Sequence, residues 1–256
     1  MSLNDGGLFR YIETLGLGET KNALIYAAFA VAVIAVSYLL GSINSAIIFS
    51  KVVYRDDVRR HGSGNPGLTN MLRTYGMGAA GLTLLGDFLK TALSIFFAAI
   101  LFGFNYVAAI STVPGMCYVA GLFAVIGHIA PVYYKFKGGK GVLSTAVMVA
   151  ILAPIPFAIL ITLFIAIVAV SKYVSLGSVV SAVLFPVVLH GYFSVAFGAG
   201  STPGLASLSS IIIAILVVYC HRGNLQRISD RTERKISFKK KPKEEATEEA
   251  EDEVES

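Results

Sequence analysis

Long apolar runs dominate this 256-residue chain, and six of them cover residues 23–50, 79–104, 114–134, 142–170, 173–200 and 205–220. A helix needs about 20 apolar residues to cross the hydrocarbon core of a bilayer. Charged residues make up only 14% of the chain, whereas an average soluble domain carries about 25%. A soluble protein of this size could not bury so much apolar surface. The sequence therefore predicts an all-α, polytopic integral membrane protein.

Basic residues in the connecting segments predict the orientation of the chain. Lysines and arginines cluster in four places: residues 51–77, residues 133–141, Lys172 and the stretch after residue 222. The connectors at 105–113 and 198–204 carry none. Because Lys and Arg are enriched in cytoplasmic loops, the four basic places are expected to share the cytoplasmic side.

This orientation fixes the number of membrane crossings. If Lys172 is to share a side with the earlier basic loops, the run 142–170 must cross the membrane twice. Pro154 and Pro156 lie near its middle, where proline disfavours a continuous helix. The sequence thus predicts seven transmembrane helices, with the N-terminus outside and the C-terminus in the cytoplasm.

Three regions are predicted along the chain. Residues 1–22 form an N-terminal extracytoplasmic segment, without the basic start and apolar stretch of a cleaved signal peptide. Residues 23–238 form the membrane domain. Residues 239–256 form a tail that reads Lys-Lys-Lys-Pro-Lys and then carries eight acidic side chains. Its composition is typical of a disordered cytoplasmic tail.

A polar, glycine-rich segment follows the first apolar run. Between residues 59 and 73 it holds three glycines, which let backbone N–H groups approach a ligand closely. It also offers neutral donors and forked cations suited to phosphate, namely Ser63, Asn65, Thr69, Asn70, Arg59, Arg60 and Arg73. The pattern favours a phosphate site, although a glycine-rich turn with cytoplasmic arginines would also produce it.

A second glycine-rich segment surrounds Lys140. Gly138, Gly139 and Gly141 precede an apolar helix, and the N-terminus of a helix is an anion-binding position. This is not a nucleotide-hydrolysing P-loop, because Gly141 stands where such a loop needs Ser or Thr to bind magnesium. The segment is predicted to bind phosphate, and a flexible basic turn is the alternative.

A third polar segment starts where the last apolar run ends. His221 and Asn224 are three residues apart and would share one face of a continuing helix. A histidine here could accept a proton or hold a phosphate oxygen. The alternative is an ordinary basic flank of a transmembrane helix. Because three basic, glycine-containing segments lie on the predicted inner face, the sequence indicates a pair of substrates with more than one phosphate.

Inside the apolar runs, Asp87 and Lys90 are predicted to form a structural ion pair, because unpaired charges within a bilayer are costly. His128 is predicted to bridge helices, although a catalytic role is as common for a lone membrane histidine. Cys117 and Cys220 both lie in apolar runs, so we expect no disulfide, no metal site and no cofactor.

These residues resemble the PlsY family of acyl-phosphate:glycerol-3-phosphate acyltransferases, over about residues 41–235. The similarity is carried, in order, by Gly62-Ser63-Gly64-Asn65 with Thr69, Asn70 and Arg73, by Gly138-Gly139-Lys140-Gly141, by His221 with Asn224 and Glu233, and by Gly41-Ser42, Asp87-Phe88-Leu89-Lys90 and Gly127-His128. Two positions depart from the family pattern. Pro66 replaces an expected aliphatic residue, and Asn44 stands where proline is usual.

The resemblance implies an enzyme of the bacterial plasma membrane whose active site faces the cytoplasm. It would transfer a fatty acyl group from acyl phosphate to the 1-hydroxyl of glycerol-3-phosphate, as the first step of phospholipid synthesis. The products would be lysophosphatidic acid and phosphate. Beyond its two substrates and membrane lipid, a functional link to an acyl-phosphate-producing enzyme is implied, and no nucleic-acid partner is expected.

Roles for individual residues follow from the motifs and the resemblance together. The expected catalytic residues are Ser63, Arg73, His221 and Asn224. The expected phosphate-binding residues are Arg60, Asn65, Asn70, Gly138, Gly139, Lys140 and Gly141. The expected structural residues are Glu233, Asp87, Lys90 and His128. The base that removes the hydroxyl proton would be His221 or the phosphate of the donor, and we favour the donor.

A membrane transporter of an organic phosphate is the alternative function. It would also need basic loops, but transporters usually show repeated halves and charges near the middle of the bilayer. A structural scaffold would not need three loops that combine glycine with cations. An acyltransferase of the His-x4-Asp type is disfavoured, because none of the four histidines has an aspartate five residues further on.

Overall fold

The computed structural model describes residues 7–103 and 115–236, which contain no β-strand. The helices are α1 (Gly7–Glu13), α2 (Glu19–Gly41), α3 (Ser45–Val53), α4 (Leu68–Tyr75), α5 (Met77–Phe102), α6 (Gly115–Ile129), α7 (Val142–Leu152), α8 (Pro154–Ser171), α9 (Val174–Phe197), α10 (Gly204–Cys220) and α11 (Arg222–Ser229). The all-α prediction is confirmed for these residues. The predicted tail at 239–256 and the connector at 105–113 lie outside them.

Most of the predicted apolar runs form helices that are long enough to cross a membrane. Within the described ranges, five helical segments are long and apolar enough to cross a membrane. The bent pair of α10 and α11 brings this number to six if it is counted as one span. The helix α7 is apolar but has only 11 residues. The length and composition of these helices therefore confirm the prediction of a polytopic membrane protein.

The first apolar run contains a helix break that we did not predict from the sequence. We expected one span over 23–50, and Glu19–Val53 is one candidate span, but within it the helix α2 ends at Gly41. A new helix then begins after Asn44, whose side-chain oxygen accepts a hydrogen bond of 3.0 Å from the backbone N–H of Ile47. This is an N-cap, which satisfies a donor that the start of a helix would otherwise leave unpaired. Asn44 therefore explains the break.

The run 142–170 divides into two helices, as predicted. The helix α7 ends at Leu152, and α8 begins at Pro154, with Ala153 between them. Proline suits the first turn of a helix because that position needs no N–H partner. Two helices with a break at Ala153 thus connect the loop that carries Lys140 to Lys172.

The helices α2 and α6 pack closely against each other. A side chain at Gly41 would collide with the backbone of Ala124, and one at Gly127 would collide with the carbonyl of Tyr38. Small residues let two helix backbones approach closely, which is the usual way that helices associate in lipid. This packing against α2 fixes the position of His128, which lies in the last turn of α6.

Candidate active site

A cavity of about 640 Å³ lies where the three predicted phosphate segments meet. Ser63, Arg73, Lys140, His221 and Asn224 all border it. These residues come from loops and helix ends, whereas the remaining wall consists mainly of apolar residues from the middle of α7, α8 and α9. The cavity thus joins a cationic mouth to an apolar compartment. Three segments that are distant in sequence converge on one space, as the sequence predicted.

The loop that carries Ser63 is shaped by Asn70. The two N–H groups of the Asn70 amide donate to the carbonyls of Val58 and His61 at 3.1 and 3.0 Å. Its oxygen accepts a hydrogen bond of 3.1 Å from the backbone N–H of Ser63. Asn70 was predicted to bind phosphate, but both its donors are already used within the loop. Its position is that of a residue that holds the loop in shape.

Other hydrogen bonds anchor this loop from outside the cavity. Asp57 accepts two from the Arg59 guanidinium, at 2.9 and 2.6 Å, and these lower the pKa of Asp57 to about 2. Tyr75 donates to Asp56 at 2.8 Å. Arg60, which we predicted to bind phosphate, is exposed and does not border the cavity. Asn65 does border it.

The two departures from the PlsY pattern lie next to each other. The buried side chain of Asn44 donates to the carbonyl of Pro66 at 3.4 Å. Asn44 therefore ties the break between α2 and α3 to the loop that carries Ser63. Proline at position 44 would have no side-chain amide to donate, so this link depends on the asparagine found here.

Arg73 and Arg234 bring positive charge to the cavity. Both border it, and neither forms an ion pair with a carboxylate within residues 7–103 and 115–236. Partial burial, and then the neighbouring charge of Arg234, lower the pKa of the Arg73 guanidinium. Two arginines that repel each other in one cavity are stabilised when an anion binds between them. This part of the cavity is therefore suited to phosphate.

The glycines around Lys140 divide into two groups. The backbone N–H groups of Gly138 and Gly139 donate to the carbonyls of Ile129 and His128, at 3.1 and 3.0 Å. Neither N–H is free for a ligand and neither residue borders the cavity, so their predicted role as phosphate ligands is not supported. Lys140 and Gly141 do border it, at the N-terminus of α7. Gly141 has a φ of 78°, which favours glycine.

A chain of hydrogen bonds connects Lys140 to the C-terminal segment. The Lys140 ammonium donates to Asn224 Oδ1 at 2.5 Å, and Asn224 Nδ2 donates to Glu233 Oε1 at 2.6 Å. Glu233 also accepts from Ser175 at 2.8 Å and from Arg227 at 2.8 Å. Burial would raise the pKa of Glu233, but these hydrogen bonds outweigh burial and lower it. Glu233 therefore remains a carboxylate and holds Asn224 and Lys140 in place.

His221 lies directly after α10 and is only 3% exposed. Its Nδ1 is 2.8 Å from the carbonyl oxygen of Val217. Since a carbonyl can only accept, Nδ1 carries the proton and Nε2 of the neutral ring is unprotonated. A histidine in this tautomer can accept a proton from a bound molecule.

Asp87, Lys90 and His128 are buried and form one cluster beside the cavity. The Lys90 ammonium lies 2.8 Å from Asp87 Oδ1 and donates to His128 Nδ1 at 2.8 Å and to the carbonyl of Ile43 at 3.0 Å. The predicted ion pair between Asp87 and Lys90 is therefore present, and His128 links it to α6. Asp87 and His128 also border the cavity. The cluster connects three helical segments, at α2–α3, α5 and α6.

Several residues that border the cavity were not among those predicted. They are Thr145, Ser175, Arg227, Thr232 and Arg234, among others. The run of arginines after residue 222 could have indicated Arg227 and Arg234, because these lie beside the predicted Asn224 and Glu233. Ser175 lies between Val174 and Leu176 at a helix start, and nothing in the sequence distinguishes it.

The fold and the cavity together define an all-helical membrane protein with a phosphate-suited mouth and an apolar compartment. Residues 31–231 match the family described as glycerol-3-phosphate acyltransferase. A glycerol-3-phosphate acyltransferase of Syntrophomonas wolfei is 39% identical over 208 residues, which cover 81% of this chain and 97% of that protein. The chain therefore belongs to the glycerol-3-phosphate acyltransferase family, and the predicted resemblance to PlsY is confirmed.

Solved structures lead to the same family. The chain is similar to the crystal structure of PlsY, an integral membrane glycerol 3-phosphate acyltransferase, in its glycerol 3-phosphate form. The TM-score is 0.67 and the identity 30%, with coverage of 81% of this chain and 96% of that one. For the lysophosphatidic acid form the TM-score is 0.65 and the identity 29%, with coverage of 81% and 95%. The chain is thus a membrane enzyme of this family.

Proposed function

We propose that this protein transfers a fatty acyl group from acyl phosphate to the 1-hydroxyl of glycerol-3-phosphate, giving lysophosphatidic acid and inorganic phosphate. The observation that carries this proposal is the single cavity in which Arg73, Lys140 and Arg234 border one part and apolar residues of α7–α9 border the rest. A lipid phosphate has the same division into an anionic head and an apolar chain. Membership of the glycerol-3-phosphate acyltransferase family supports glycerol-3-phosphate as the acceptor.

The cations would bring together two substrates that repel each other. Acyl phosphate and glycerol-3-phosphate are both anions, and Arg73, Arg234 and Lys140 supply opposite charge without further rearrangement. Burial lowers the pKa of Lys140, and a bound phosphate would favour its charged form. Ser63, whose hydroxyl lies at the cavity, is proposed as a binding group for one phosphate. Alignment of the two substrates would contribute further to the rate.

The reaction forms one bond and breaks one. The 1-hydroxyl oxygen of glycerol-3-phosphate attacks the acyl carbon, and the bond from that carbon to the phosphate oxygen breaks. The phosphate leaves with the electron pair. The hydroxyl proton passes either to the unprotonated Nε2 of His221 or to the departing phosphate, which is the acceptor that we favour. Asn224 would hold Lys140 beside the leaving group, and Glu233 would support Asn224.

We also propose seven membrane crossings, with the cavity facing the cytoplasm of a bacterial cell and the N-terminus outside. The helix α7 would then be a short crossing, and its N-terminus would lie at the inner surface. The basic residues of 51–77 and 133–141 support this orientation. The donor would come from an enzyme that attaches phosphate to an acyl group.

The apolar compartment favours acyl transfer over transport of an organic phosphate. A water-soluble organic phosphate has no chain that would fill the space between Phe157, Phe164 and Phe185. A lipid product has such a chain, and burial of its methylene groups is favourable.

The test is an assay of the purified protein in detergent. We expect phosphate release from palmitoyl phosphate only when glycerol-3-phosphate is present, with lysophosphatidic acid as the second product. Ser63→Ala and His221→Ala are each expected to lose most of this turnover. Acyl transfer from acyl-CoA but not from acyl phosphate would overturn the choice of donor. Full activity in both variants would overturn the proposed site.

A further inference from the structure

The inner compartment of the cavity has a regular wall on α9. Ser175, Ser178, Ala182 and Phe185 follow one another along one face of this helix and border the cavity. The hydroxyl of Ser178 donates to the carbonyl of Val174 at 2.9 Å, so it is already satisfied within the helix. Beyond Ser175, the α9 wall therefore presents an effectively apolar surface to a ligand. Ten residues of helix correspond to about 15 Å of wall.

The helix α8 forms the opposite wall and runs antiparallel to α9. Phe164 packs near Gly177 at the mouth end. The hydroxyl of Ser181 reaches the carbonyl of Leu160 at 3.4 Å further along. This pairing brings Phe157, one turn before Leu160, to the end of the compartment that Phe185 also borders.

The compartment ends at Phe185. This side chain is only 1% exposed, and Val149 of α7 and Phe157 of α8 border the cavity beside it. The next residues on the same face of α9, Leu189 and Phe193, are buried in the hydrophobic core and do not border the cavity. The core is closely packed, so an apolar chain that enters from the mouth meets the Phe185 ring and cannot pass it.

We infer that Phe185 limits the length of the acyl chain that this site accepts. This inference rests on the proposed acyl transfer. The reacting carbonyl must lie at the mouth, beside Lys140 and Arg73, so the far end of the chain is pushed toward Phe185. A chain that is too long would have to expose methylene groups or displace the ring, and both weaken binding. A shorter chain would leave part of the compartment empty.

Two substitutions should move the limit in opposite directions. Phe185→Ala removes the ring and deepens the compartment, while Ala182→Phe places a ring about one turn nearer the mouth. We would measure kcat/KM with glycerol-3-phosphate for saturated acyl phosphates from octanoyl to stearoyl. Phe185→Ala should raise the ratio of the longest to the shortest donor by about tenfold or more, and Ala182→Phe should lower it by a similar factor.

Phe193→Ala is the matched control. It removes the same side chain from the same face of the same helix, at a site that is 2% exposed but does not border the cavity. Its chain-length profile should equal that of the wild type. If Phe185→Ala does not fold, Phe185→Leu and Ala182→Phe provide the test, because Leu shortens the side chain with a smaller change in volume.

The outcomes are separable from those of the proposed function. If the variants transfer acyl groups with the wild-type profile, Phe185 does not set the length, although the acyl transfer stands. If the wild type transfers no acyl group from any acyl phosphate, the proposed function fails first. A change of profile in Phe193→Ala as large as that in Phe185→Ala would also overturn the inference, because the effect would then come from general loosening of the core.

Discussion

Lys140 and Asn224 are 84 residues apart in sequence, yet the Lys140 ammonium donates to the Asn224 side chain over 2.5 Å. We expect Asn224→Leu to lower kcat/KM by about 10- to 150-fold, since a hydrogen bond to a charged group contributes about 1.5–3 kcal/mol. Steady-state phosphate release measures this. Gln226→Leu is the control, because among the described residues the Gln226 amide donates to the exposed Asp230 directly after α11 and does not contact Lys140. Equal activity of the two variants would contradict the anchoring of Lys140.

Arg73 borders the cavity and Arg60 does not, although the sequence suggested both. Arg73→Ala should lower kcat/KM by about a hundredfold or more, because it removes a charged donor from the part of the cavity proposed to bind phosphate. Arg73→Lys should recover little, since an ammonium cannot replace the paired N–H groups of a guanidinium. Arg60→Ala should behave like the wild type in the same assay. Similar losses at both positions would indicate a general effect of basic charge.

Glu233 gives a pH-dependent contribution to stability. Its folded-state pKa is lowered from the usual value of 4.5, so the contribution is complete above that value and is lost as pH falls through the lowered pKa. The Tm of the wild type in detergent should exceed that of Glu233→Gln at pH 7. The difference should shrink below about pH 4.5. A difference in Tm that stays constant down to the lowest pH at which the protein remains folded would refute this role of the Glu233 carboxylate.

Lys90 neutralises Asp87 in the interior of the bundle, where both side chains are at most 3% exposed. Lys90→Met should lower the free energy of unfolding by about 3–5 kcal/mol, because it leaves a buried carboxylate unpaired. The double variant with Asp87→Asn should recover part of that loss. Equilibrium unfolding in detergent would measure the free energy of unfolding of the single and the double variant.

The control for this pair is Lys51→Met. Lys51 is largely exposed and lies 3.8 Å from Asp57, so its loss should change stability little. If the double variant of Asp87 and Lys90 is no more stable than Lys90→Met alone, the two charges do not act as a pair.

The membrane helices could be predicted from the sequence because lipid demands long apolar segments, and the proline-marked division of 142–170 was visible for the same reason. The break before Asn44 was missed although Gly41, Ser42, Asn44 and Ser45 interrupt the apolar run there, because small and hydroxyl-bearing residues are also common inside membrane helices. Gly138 and Gly139 were misassigned because a glycine motif does not reveal where its N–H groups point. Here they point back to the end of α6. Ser175 and Arg234 reach the cavity only through tertiary packing.

Glu233 and Arg234 lie after α10, the last apolar helix. The backbone N–H of Ile236 then donates a hydrogen bond of 2.9 Å to the carbonyl of Lys172. The ribosome must therefore have made residue 234 before the wall of the cavity is complete. During insertion into the membrane, the nascent polypeptide would lack the carboxylate that organises Asn224 and Lys140. The site would then be completed only after the helices from α2 to α10 have been made.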